Sequence, residues 1–223
     1  MAVVRGAVLP EPRNAAASRW LVVFAVAYGL LHHVGAVVSP LGAVGVTRWA
    51  DWAEMGVPYA VLSAAAAALA TGGAGRRAWL VFLVGAITYA EGAGIHLAAN
   101  SIGNVDPGPA VHLWDEVVGH YAWFAGAALV VAALASVFAR QEPPGTIGPY
   151  LLAALVGLTH ATNSLEGGTA VFGLLVAAVF AGVGWVTRAG LGRLLLVGYA
   201  PALLLLAGYG VRHGGFPQPS QLP

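Results

Sequence analysis

Cysteine and lysine are both absent from this chain. Without cysteine there is no disulfide framework and no thiolate metal site, and sulfur says nothing about the redox compartment. Charge of either sign is scarce. Only 9% of the residues are charged, against about 25% in a soluble globular domain. So few charges cannot solvate the surface of a soluble protein of 223 residues. The formal net charge of +1 gives no basis for nucleic-acid binding, and no nucleic-acid partner is expected. All ten basic residues are arginine. Together with the abundance of Ala, Gly and Val, that bias suggests a GC-rich bacterial coding sequence.

What the chain does have is long apolar runs. A helix needs about 20 apolar residues to cross a bilayer. Seven segments meet or approach that length: Arg19 to Val38, Glu54 to Ala70, Ala78 to Asn100, Ala110 to Ala139, Ile147 to Ala161, Leu165 to Val186 and Gly190 to Val211. The fifth is short, which leaves open six spans and a re-entrant piece. Ser39-Pro40, Thr71-Gly72-Gly73, the loop Ser101 to Pro109 and Gln141 to Gly145 punctuate the runs with turn-forming residues. Arg5, Arg13 and Arg19 ahead of the first run resemble a signal peptide. The run is long enough to span and others follow it, so it reads as an uncleaved first helix. The expected fold is therefore an all-α polytopic membrane bundle of about seven transmembrane helices. Residues 1–18 form a cytoplasmic N-terminal segment, 19–212 one helical domain and 213–223 a disordered tail.

Arginine sets the expected orientation, because cytoplasmic loops carry an excess of basic residues. With the N-terminus inside, Arg5, Arg13, Arg19, Arg76, Arg77, Arg140, Arg188 and Arg193 fall inside, and Arg48 and Arg212 outside. The C-terminus is then outside. The expected location is a bacterial inner or plasma membrane, with membrane lipids as the surrounding partners.

On that topology, six of the seven histidines and four acids fall in the outer third of five helices. Ionisable residues within a bilayer are costly, and they normally face the bundle interior or a water-filled cavity where function requires them. His112, Glu116 and His120 stand four residues apart, which places them on one face of an α-helix. Two imidazoles and a carboxylate on one stripe suit a divalent transition metal, Zn or Fe before Cu. His96 and His160 supply further imidazoles. Glu91 and His96 are five residues apart and so diverge by about 140° on an ideal helix. One of them is then a ligand and the other a supporting or catalytic group. Asp115 or Glu91 is the expected general base. His32 and His33 diverge by about 100°, so one at most faces the site. Asn100 shares the face of His96. Asn163 and Glu166 read as site neighbours or as a helix cap with its third-position partner. Asp51 and Glu54 flank Trp49 and Trp52, an interfacial aromatic anchor, and are expected to be solvated. Asp106 reads as a turn residue.

His96, Ser101, Asp115 and His120 invite comparison with the seven-helix membrane hydrolases that include alkaline ceramidases and the progestin/adiponectin receptors. In that group three histidines, with Ser and Asp nearby, hold zinc. The family draws two histidines from its last helix, where this chain has none before His213. The HxxxH and HxxHH boxes of membrane desaturases are also absent, and no family is assigned. The expected function is a metal-dependent membrane enzyme, hydrolase or oxygen-activating oxidoreductase, acting on a lipid or another small amphiphile. Its centre is mono- or dinuclear. A haem-binding electron-transfer protein and a proton- or metal-coupled transporter are the alternatives.

Overall fold

The computed structural model describes residues 15–142, 145–187 and 190–222. Arg5, Arg13 and Arg188 of the arginine pattern, and most of the expected N-terminal segment, lie outside the described residues. The described chain is built of helices and one small hairpin. Helix α1 (Ala15–Leu31) continues into α2 (Val34–Val38) across a 51° bend at His32-His33. A short hairpin, β1 (Ala43–Val44) with β2 (Thr47–Arg48), turns at Gly45, where φ is 62°. Helices α3 (Trp49–Glu54) and α4 (Val57–Thr71) together make one span. They are followed by α5 (Arg76–Gly103), α6 (Pro109–His112), α7 (His120–Phe138), α8 (Gly148–Glu166), α9 (Ala170–Thr187) and α10 (Gly192–His213). Between α6 and α7 the chain is π-helical over Leu113–Gly119, so Pro109–Phe138 is one continuous span.

Among the described residues, five helices are long and apolar enough to cross a membrane, and the bent α1–α2 pair makes a sixth. The expected count was about seven. The difference lies in α8, where Thr159, His160, Thr162, Asn163 and Ser164 dilute the apolar run.

Backbone contact organises the bundle. The most extensive helix contact joins α5 to α7. A Cβ on Gly92 would sit 2.1 Å from the Trp123 nitrogen, and one on Gly126 would sit 2.2 Å from that of Tyr89. One on Gly119 would lie 2.9 Å from the Cα of His96. These pairs run in opposite directions along the two helices, so α5 and α7 are antiparallel and nearly touching. Close approach of this kind is how membrane helices gain van der Waals contact where lipid offers no hydrophobic drive.

Other bonds fix which ends lie together. Leu191 and Gly192 donate backbone bonds to Gln141 and Ala139, joining the start of α10 to the end of α7. Arg76, Arg77, Arg140 and Arg193 therefore lie toward one end of the bundle. Arg48, bonded to Asn104 after α5, lies at the other.

The α8–α9 boundary departs from expectation. Helix α8 runs on to Glu166, so Asn163 lies inside it and Glu166 closes it rather than opening the next helix. The stop is a Schellman motif. Gly168 takes φ of 63°, Thr169 N–H donates to Ser164 O and Gly168 N–H donates to Leu165 O. The glycine pair decides the boundary, and the capping pattern on Asn163 and Glu166 is not used.

The α5–α7 contact predicts an asymmetry between two glycines on one helix. Gly92→Ala drives a methyl into the α7 backbone and should lower stability by about 1–3 kcal/mol. Gly94 has nothing within 4 Å of the added atom. There Ala should be neutral or stabilising by up to about 1 kcal/mol. Thermal unfolding of both variants in detergent distinguishes the two outcomes.

Candidate metal centre

The π-helical turn decides which side chains meet. In an α-helix residues four apart stack; in a π-helix the bonding pattern is i to i+5. Asp115 and His120 are five apart and come onto one face. His112, placed by α-helical spacing on the stripe with Glu116 and His120, is instead exposed at the end of α6. Gly119 permits the arrangement: an added Cβ there would lie 2.9 Å from both the Trp114 carbonyl and His96.

The structure brings His96 of α5 to Asp115 and His120. One ligand atom from each lies within 4.8 Å of the others, and the group could hold a metal ion. His96 Nδ1 and Asp115 Oδ1 are 2.6 Å apart. Neither is in hydrogen-bonding geometry with any partner, and both are buried, as is an unpartnered His120 Nδ1. Buried polar atoms are normally hydrogen-bonded. Three buried ligand atoms without hydrogen bonds, all within 4.8 Å of one another, suit a cation. Two donors about 2.1 Å from one tetrahedral ion stand about 3.4 Å apart, within the 4.8 Å spread of the group. The His96 and His120 rings are 4.4 Å apart between centroids, and His96 also lies 5.2 Å from Trp123.

Two further carboxylates, Glu116 and Glu54, interact with the group. Glu116 Oε2 is 3.5 Å from His120 Nδ1 and accepts a 2.8 Å hydrogen bond from Gln218 Nε2. Gln218 belongs to the C-terminal segment that was expected to be disordered. That segment folds back instead: Tyr209 Oη donates to Pro217 O, and Gln218 also donates to Glu166 O. Glu54, expected to be solvated, has a buried Oε2 without a hydrogen-bond partner and feels the charges of His96 and Asp115. Asp51 is likewise not solvated. It is 5% exposed and accepts bonds from Arg48 N, Nε and Nη2, a clamp that closes the start of α3.

The remaining predicted site residues are elsewhere. Glu91 is exposed on the far side of α5. His160 Nε2 donates to Gly173 O, away from the group. His33 donates to Thr159 Oγ1, whose own proton goes to Gly29 O. His32 Nδ1 donates to Tyr28 O, so its Nε2 accepts from Tyr89 Oη at 2.9 Å. Asn100 bonds Asn104 at the α5 terminus, and Asn163 and Glu166 use backbone carbonyls only, to Gly167 and Gln218. Sequence reasoning missed Glu54 and Gln218. Glu54 was masked by its tryptophan neighbours, and Gln218 carried no signal at all.

Comparison with known protein families, with curated proteins and with solved structures finds no match for this chain.

The bonding of His32 separates a structural histidine from the centre. Tyr89→Phe removes the proton that His32 Nε2 accepts and should lower stability by about 1 kcal/mol. It should leave metal content unchanged, and parallel unfolding and metal analysis of the purified variant check both.

Proposed function

We propose that the chain is an integral-membrane metalloenzyme acting on a lipid or another membrane-embedded amphiphile, with its metal held by His96, Asp115 and His120. The observation that carries this reading is the convergence of three buried ligand atoms that have no other hydrogen-bond partner. Two imidazoles and one carboxylate are the donor set of hydrolytic zinc centres and of non-haem Fe(II) oxygenases. Zn and Fe(II) are the ions proposed. Either supplies a Lewis-acidic centre able to activate water, or, if it is iron, oxygen.

The chain's own residues take the other roles. Asp115, expected as a base, is here a ligand. Glu91 is too far round α5 to take part. Glu116, beside His120 and fixed by Gln218, is placed to accept a proton from water at the centre. Glu54, at the end of α3, adds a second carboxylate whose charge acts on His96 and Asp115. The arginine excess at the other end supports a centre facing the outer leaflet, a depth suited to a substrate that enters sideways from lipid. The haem reading is weakened by the ring spacing of His96 and His120, which leaves no room to clasp a porphyrin between them.

Elemental analysis of detergent-purified protein tests the proposal. Wild type should carry about one Zn or Fe per chain, and His96→Ala, Asp115→Ala and His120→Ala should each lower retention by at least about tenfold. His112→Ala should retain the metal. A wild-type protein that co-purifies no metal and gains no thermal stability from added Zn(II) or Fe(II) would falsify the reading.

A further inference from the structure

A second site lies far from the metal centre. A cavity of about 380 Å³ opens between α1, α7, α8 and α10. Its walls include Phe24, Val131, Leu134, Phe138, Val156 and Tyr199, all buried. Val131 and Phe138 stand 11 and 18 residues beyond His120 along the same helix, about 16 and 27 Å along its axis. The cavity therefore shares no wall with the His96 group.

Its polarity is graded. Ser18, Gln141, Glu142 and Thr146 line it and are exposed, while the deep residues are apolar apart from the hydroxyl of buried Tyr199. They form a rim at the arginine-bearing end of the bundle. Val22 both lines the cavity and is 41% exposed on the outer surface of α1, so the space reaches the hydrocarbon side as well.

Protein interiors are packed about as densely as organic crystals, and a space of this size is not left by ordinary packing. Ordered water needs two to four polar partners, and the depth offers only the Tyr199 hydroxyl among its side chains. The volume falls in the range of small-molecule sites, about 300–1,000 Å³, which are mostly apolar with a few polar groups.

We propose that this cavity binds one aliphatic chain of a membrane amphiphile, with the chain among Phe24, Leu134 and Phe138 and the polar head at Gln141 and Thr146. A chain can enter past Val22 without leaving the hydrocarbon layer, and the head meets hydrogen-bonding side chains where the apolar lining ends. The site is separate from the metal centre and does not rest on it.

Photolabelling of the full chain in phospholipid nanodiscs tests this. Two probes carry a terminal diazirine, a free fatty acid and a diacyl phospholipid. Wild type should be labelled on residues 131–142 and 18–25 well above the lipid-facing residues Val179 and Val183. The probe that does so identifies a free single-chain amphiphile or one leg of a bilayer lipid. Ala135→Trp fills the cavity and should cut that labelling at least tenfold with the thermal midpoint retained. Ala25→Leu narrows it and should cut labelling several-fold, which keeps the test decisive if the tryptophan does not fold. His96→Ala should label as wild type. Cavity labelling no stronger than at Val179 and Val183, or unchanged labelling in folded Ala135→Trp or Ala25→Leu, overturns the proposal.

Discussion

The backbones of α5 and α7 meet at Gly92, Gly119 and Gly126 with no side chain between them, and the register of that contact sets His96 against Gly119. One residue further on is His120. The π-helical turn that ends at Gly119 carries Asp115 round to the same point. Helix contact and helix winding thus act together. If the glycines were bulkier, α5 would stand off by the width of a side chain and His96 would lose reach of both partners.

The polar residues of the bundle fall into two physical groups. Those in the first group satisfy each other. Thr159 ties His33 to the Gly29 carbonyl, Tyr89 donates to His32, and His160 holds Gly173 across α8 and α9. Interhelical bonds of this sort stabilise a bundle in lipid modestly, by roughly 0.6 kcal/mol each. The second group is not satisfied: His96, Asp115, His120 and Glu54, together with the Trp123 indole, bury polar atoms without hydrogen bonds. Burial without a partner is unfavourable in any low-dielectric setting. It is this contrast, rather than histidine richness, that separates structural residues from the candidate centre.

Much of the architecture was legible in the sequence. The apolar runs forecast a helical membrane protein, and most span boundaries fall within a few residues of the helices. His96, Asp115 and His120 were each recognised as site candidates. Their grouping was not, because four-residue spacing favours His112 with Glu116 and His120 unless the helix is wound differently. Nothing in Leu113 to Gly119 announces a π-helix from composition. Glu54 and Gln218 reach the centre through chain reversals, the clamp of Arg48 on Asp51 and the fold-back after α10, and local pattern does not encode such reversals. The α8–α9 boundary was misjudged because a capping signal at Asn163 competed with a Gly-Gly stop four residues later, and backbone freedom prevailed.

The π-helical turn makes the ligand set conditional on how one stretch of helix is wound. A π-helical stretch is geometrically an α-helix that has absorbed extra length, often at a functional site. If the same residues were wound as an α-helix, Asp115 would swing away from His120 by roughly a quarter of a turn. The span would remain apolar and long enough to cross the membrane. Relaxation to α-helical winding would keep the bundle and part the ligand set in one step. How this short stretch of helix is wound thus decides whether the three side chains meet, whatever residues the span carries elsewhere.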